Sequence, residues 1–319
     1  PTEPLVIFPF DEIGTYGGTL RGVAGALESG TSEILSWRQV SLVRLDPTDN
    51  SVVPNVASAW EWNDDKTEIT FTLREGHKWS DGDAFDANDI VFWVNDIMRN
   101  EALTASVWGN WAHGGSIVQV EKIDATHVKF IFAESNPVFL HYLATSGSYF
   151  APWAASHVLK QYHIDYNANA NEEAIAAGYS DWTLRFKTFY HRWKDAVTAT
   201  AAGLEVPTLE CHILAAATDG SSRAFIANPY YFKVDSSGQQ LPYIDNHNER
   251  FLEQQIWTLE LISGNIDQKS QNVSLADFPL MKENEARGDY TIHLDAGQIG
   301  PVLVFNYTTA DDSKRFAYS

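Results

Sequence analysis

Asp81, Asp83, Asp86 and Asp89 crowd four carboxylates into one short stretch, a density that a calcium loop would use. Their spacing does not fit an EF-hand, because Gly82 comes too early and no Glu closes the loop. Helix-start chemistry explains them better. Asp86 stands where an N-cap belongs, and Asp89 three residues on completes a capping-box-like pair at the positive end of the helix dipole. Ten histidines are scattered without metal-ligand spacing, and His157 and His163, the closest pair of interest, read as surface residues. No GxSxG elbow, P-loop, GxGxxG or HExxH motif occurs, so nucleophilic, phosphate-cradling and zinc-hydrolytic chemistries have no signal here.

Eleven tryptophans point instead to recognition. A sugar ring packs its C–H face flat on indole while its hydroxyls need amides and carboxylates, and peptides use aromatic rings as side-chain pockets. Trp60, Trp62, Trp79 and Trp93 follow strand and helix periodicity, which favours core packing. Trp108 and Trp111 sit in a Gly/Asn/His loop with no amphipathic pattern to bury them, so a ligand wall and local packing both stay open. Trp37, and Tyr149 with Phe150 in a second loop, are further candidates for a ligand wall.

The elements that must position these residues begin with Val52 to Arg99. Ile69, Phe71 and Leu73 alternate with Thr70 and Thr72 as a strand with one apolar face. Asn63 to Lys66 is a turn that folds Glu61-Trp62 back on that strand. Ile90, Val91, Trp93, Val94, Ile97 and Met98 then follow at helical spacing. Two further strands are expected at 118–123 and 128–132, and helices from 136, 156, 167, 186, 253 and 274. Ile34 to Leu45 also has helix-like spacing, while Tyr290–Leu294 and Val302–Tyr307 read as strands, and Pro1 to Gly14 as an extended lead-in.

Several short blocks together resemble one family: Leu42-Val43-Arg44, Val53 to Trp60, Phe71 to Gly76, Lys78 to Gly82 and Phe85 to Ile90. The likeness resumes at Asn228 to Asp235, Gln240 to Asp245 and Gly264 to Asp267, leaving a weak patch from Gly178 to Ala224. These blocks, in this order, are similar to the peptide/nickel-type (family 5) extracytoplasmic solute-binding proteins of ABC importers. The resemblance implies an α/β fold, a periplasmic-binding-protein-like (class II, cluster C type) lobe of mixed β-sheets flanked by helices. It implies a discontinuous core subdomain from 1–45 and 205–300, an inserted subdomain at 46–204, and a hinge strand at 301–319. The hinge strand contains Asn306, a candidate ligand contact. Most of a second lobe is then missing, and the chain is expected to be a fragment or truncated product of a longer protein, with any secretion signal or lipid anchor removed.

Composition is compatible with that reading. The 319 residues are long enough for two domains, 44% are hydrophobic, and the net charge of −20 disfavours nucleic acid and anionic membrane surfaces as partners. Cys211 is the single cysteine, so neither an intrachain disulfide nor a cysteine zinc cluster can form. The leading expectation is a receptor outside the cytoplasm, periplasmic or at the cell surface. It would deliver an oligopeptide or oligosaccharide to an ABC permease, using no cofactor, no metal and no catalysis. A glycoside-acting enzyme is the alternative, since acidic and aromatic clefts also serve glycosidases. A peptide-holding chaperone or non-transport receptor on the same scaffold is the third.

Overall fold

The structure is a computed structural model and describes residues 1–9, 12–25, 34, 40–107, 109–145, 151–190, 206–218 and 220–294. The chain opens with β1 (Leu5–Ile7) and β2 (Thr19–Ala24), then β3 (Val43–Leu45) and β4 (Val52–Pro54). The hairpin β5 (Ala57–Trp62) and β6 (Glu68–Leu73) leads to α1 (Ala87–Phe92), which continues as a π-helical segment, Trp93–Met98. A short ribbon, β7 (Ala112–His113) and β8 (Ser116–Ile117), precedes β9 (Gln119–Lys122) and β10 (His127–Ile131). Four helices follow, α2 (Phe139–Thr145), α3 (Ser156–Leu159), α4 (Ala170–Ala176) and α5 (Trp182–Phe189). Strands β11 (His212–Thr218), β12 (Ser222–Ala227), β13 (Lys233–Asp235) and β14 (Asn246–Phe251) come next. The described chain ends with α6 (Gln254–Ile262), α7 (Phe278–Glu283) and α8 (Glu285–Gly288).

Two four-stranded sheets carry the architecture. The first, ordered β5-β6-β10-β9, is antiparallel throughout. Ile69, Phe71 and Leu73 bury one face of β6 while its threonines stay part exposed, as the alternation requires. The second, ordered β11-β12-β14-β2, is mixed, because β2 joins β14 in parallel from far away in sequence. Its strands come only from residues before 25 and after 205, whereas the first sheet lies wholly between 57 and 131. One large core nevertheless runs from Leu42 and Val43 through Phe71, Trp79, Trp111 and Phe130 to Tyr231 and Phe232.

Several expectations change. Residues 43–45 form a strand paired with β4 instead of the end of a helix. Val40, Ser41, Leu42 and Val43 are all buried, and a segment covered on both faces has no period from which to tell strand from helix. The lead-in contains β1, which pairs in parallel with β13. Residues 290–294 are irregular, not a strand. The Ile292 N–H is spent on the Glu285 carboxylate at 2.8 Å and the Tyr290 hydroxyl on the Met281 carbonyl. The expected strand at 302–307 lies outside the described residues. His163 is fully buried against Trp182 and Phe186 rather than at the surface.

Candidate ligand-binding site

The capping box is present as read: the Asp86 side chain accepts from the Asn88 N–H, and the Asp89 carboxylate accepts from the Asp86 N–H. Asp89 also accepts from Trp79 Nε1 at 3.0 Å and from the Ser156 N–H at 3.1 Å. Burial raises its pKa, and these donors pull the other way. Asp81 and Asp83 face His157, with the imidazole 2.8 Å from Asp81 and 3.5 Å from Asp83. All four aspartates therefore hold the fold together around α1 and α3.

Beyond α1 the backbone widens into the π-helical segment, a rare geometry that recurs at functional sites. It presents Trp93, Ile97 and Met98 to a cavity of about 360 Å³, closed on the far side by Trp111, Phe186 and Tyr190. That volume falls within the roughly 300–1,000 Å³ of small-molecule sites. Trp93 donates its indole N–H to the Tyr190 hydroxyl at 2.5 Å. Trp111 lies at 5.0 Å from Trp93 and 5.5 Å from Phe139 between ring centroids, nearly perpendicular to the latter. Its Nε1 is buried and has no acceptor among the described residues. The rim is polar, with Thr104, Ser106 and Lys187.

Among the six residues singled out in the sequence, Trp111 is described. It is only 1% exposed, so its ring packs in the core and backs the cavity rather than standing free in a loop. Trp37, Trp108, Tyr149, Phe150 and Asn306 lie outside the described residues. Sequence reasoning favoured core packing for Trp93 and gave Tyr190 no role. Their partnership joins positions 97 residues apart, which no local pattern encodes.

A second cavity, about 660 Å³, lies on the mixed sheet. Arg21, Asn248 and Arg250 line it, with the Arg223–Glu249 pair beside them. Arg223 and Glu249 are fully buried, with nitrogen–oxygen distances of 2.6 and 2.7 Å. The Asp267 carboxylate takes the Arg21 backbone N–H at 2.6 Å and its guanidinium, which lowers the Asp267 pKa and raises that of Arg21. The sequence carried no signal for this face: residues 246–250 of β14 are all polar, and only the structure shows that His247 and Glu249 turn inward while Asn248 and Arg250 turn outward. Among the described residues no group of three or more His, Cys, Asp or Glu is placed to hold a metal ion, and no helix is long and apolar enough to cross a membrane.

Comparison with known proteins places this geometry in context. The family model described as bacterial extracellular solute-binding proteins, family 5 (middle), matches residues 51–316. A periplasmic alpha-galactoside-binding protein of Rhizobium meliloti (strain 1021) is 29% identical over 265 residues, which is 77% of this chain and 35% of that protein. A probable ABC transporter-binding protein of Deinococcus radiodurans is 23% identical, covering 86% of this chain and 42% of its own length. Among solved structures, the oligopeptide-binding protein OppA superposes with a TM-score of 0.79 at 31% identity, over 90% of this chain and 44% of that one. The MelB binding protein of Agrobacterium fabrum C58, solved with stachyose, gives a TM-score of 0.66 at 24% identity, over 86% of this chain and 40% of that one. The chain thus spans less than half the length of each of these proteins. With the family model covering most of its residues, the chain belongs to the family 5 bacterial extracellular solute-binding proteins.

Proposed function

We propose that the chain supplies the first lobe of a periplasmic receptor that captures an oligosaccharide or oligopeptide and hands it to an ABC permease without chemistry. In this reading the mixed sheet anchors a core subdomain at 1–45 and 205–300, residues 46–204 form an inserted subdomain, and 301–319 begin the hinge. Solute is held when a second lobe closes over this one, a hinge motion that needs preformed pockets and no reacting group. The observation that carries the reading is the superposition on OppA over 90% of this chain but 44% of that one. Trp108 and Trp111 form or back the aromatic wall, with Trp37, Tyr149, Phe150 and Asn306 completing the contacts.

An oligosaccharide is the favoured solute. The cavity behind Trp111 joins aromatic walls to a polar rim, which is what a sugar ring requires, and a relative at 29% identity is named for alpha-galactosides. The likeness to OppA supports oligopeptides as the second reading. A thermal-shift series on the full-length protein decides between them, because a ligand that binds only the folded state raises the melting temperature by mass action. Raffinose-type α-galactosides are expected to raise it and di- to hexapeptides to leave it unchanged; the opposite pattern selects the peptide reading. Trp111→Phe is expected to keep the fold and, by shrinking the aromatic wall that backs the cavity, to weaken sugar binding by about threefold. Hydrolysis of any solute that binds would overturn the receptor assignment.

A further inference from the structure

With 42 acidic residues against 22 basic, the chain is electronegative as a whole, so a place where cations converge without carboxylates needs a reason. A cavity of about 430 Å³ between β1, β3 and β13 is such a place, with Arg44 and Lys233 in its lining. The Lys233 ammonium lies 5.8 Å from the Tyr231 ring centroid and 5.5 Å from that of Phe232. It has no ion pair among the described residues. Arg44 reaches the Leu45 carbonyl at a long 3.4 Å, and its Nε is buried without an acceptor. Arg74, the next cation, spends its guanidinium on the carbonyls of Asn55 and Glu3 at 2.8 and 3.1 Å.

The carboxylate on β13 is engaged elsewhere. Asp235, two residues along β13, accepts from the Ser237 and Gln239 N–H groups and from the Tyr243 hydroxyl. Burial, then the charges of Cys211 and Glu210, hold the Tyr231 phenol well above its usual pKa. Burial first, then the positive charges of Arg44 and Arg74, bring the Lys233 ammonium down to about 8, with Cys211 opposing. Both side chains are half-buried, and a cation partly drawn from water without an anion carries a cost that a bound oxyanion would offset. The remaining lining is Ile7, Leu241, Pro242, Ile244 and the rings of Tyr231 and Tyr243, which suits an apolar body, with the Cys211 thiol and the His212 imidazole as further titratable groups.

We propose that this cavity binds a small organic carboxylate, its oxygens between Arg44 and Lys233 and its apolar body against Leu241 and Tyr243. The site is separate from the aromatic cavity and from the sheet-face cavity, with no lining residue in common. Calorimetric titration of the protein with sodium benzoate tests it, alongside NMR titration of the Lys233 side chain. Benzoate is expected to bind and to raise the Lys233 titration midpoint by about one pH unit, since an anion favours the charged amine. Lys233→Met and Arg44→Met are each expected to weaken benzoate at least about tenfold, with Lys233→Arg retaining it. If those variants do not fold, the wild-type titration still decides: a Lys233 midpoint unmoved by saturating benzoate overturns the site. Binding of inorganic phosphate with no binding of benzoate overturns the organic carboxylate as its ligand.

Discussion

His77 lies between Phe85 and Phe232, with ring centroids 5.2 and 4.8 Å away, and neither ring nitrogen has a hydrogen-bond partner among the described residues. Burial, then the N-terminal amino group and Arg74, depress its pKa from 6.5 to about 3. The folded state therefore refuses a proton that the unfolded chain accepts. Its contribution to stability is full above pH 6.5 and is lost as the pH falls from there toward 3, by about 4 kcal/mol across the window. His77→Phe removes that dependence. Urea denaturation should show the variant equal to or slightly above wild type at pH 7 and about 2 kcal/mol more stable relative to wild type at pH 5. An unchanged difference between the two pH values would mean that His77 titrates normally. The buried Trp93 was legible in the sequence because it keeps helix period, whereas Trp79 is buried from a loop between two turns. His77 and His163 were not legible, because imidazole is common at surfaces and only the surrounding rings, far away in the chain, reveal its burial.

At the scale of elements, α1 shows what local sequence can encode. Asp86 and Asp89 fix its start through contacts within three residues, so the capping box is written in adjacent letters. The same Asp89 carboxylate also holds the Trp79 indole and the head of α3, and those partners come from the tertiary fold. Asp89→Ala leaves three buried or part-buried N–H groups without an acceptor. It is expected to cost about 3 kcal/mol or more, against about 1 kcal/mol for Asp86→Ala, which loses only the cap. Chemical denaturation compares the two, and equal losses would show that Asp89 acts as a helix cap alone. The β5-β6 hairpin was legible for the same local reason as the cap. The parallel pairings of β1 with β13 and β2 with β14 were not, because they join strands more than 200 residues apart and carry no turn signal.

For the molecule as a whole, the family blocks made the fold class readable, since strands such as β3, β4 and β5 and the turn and cap that follow β6 recur in one order. The candidate site was readable only in part: an aromatic excess suggests recognition, but which rings face solute depends on how the π-helical segment, the loop after it and α5 converge. A receptor that works by closure divides its contacts between two lobes, so the free energy of binding is shared between surfaces that must meet. These 319 residues span 44% of OppA and carry exposed apolar side chains at Phe8, Val138 and Leu275. Tested alone, they should bind solute at least about a hundredfold more weakly than a complete two-lobed receptor, because half of the cleft contributes less than its share once association entropy is charged against it. Exposed apolar surface should also drive self-association at high concentration. Calorimetry and sedimentation of the 319-residue chain check both expectations. A monodisperse monomer with micromolar affinity for solute would show instead that this lobe is a self-sufficient binding unit, and would move the whole recognition surface onto the residues described here.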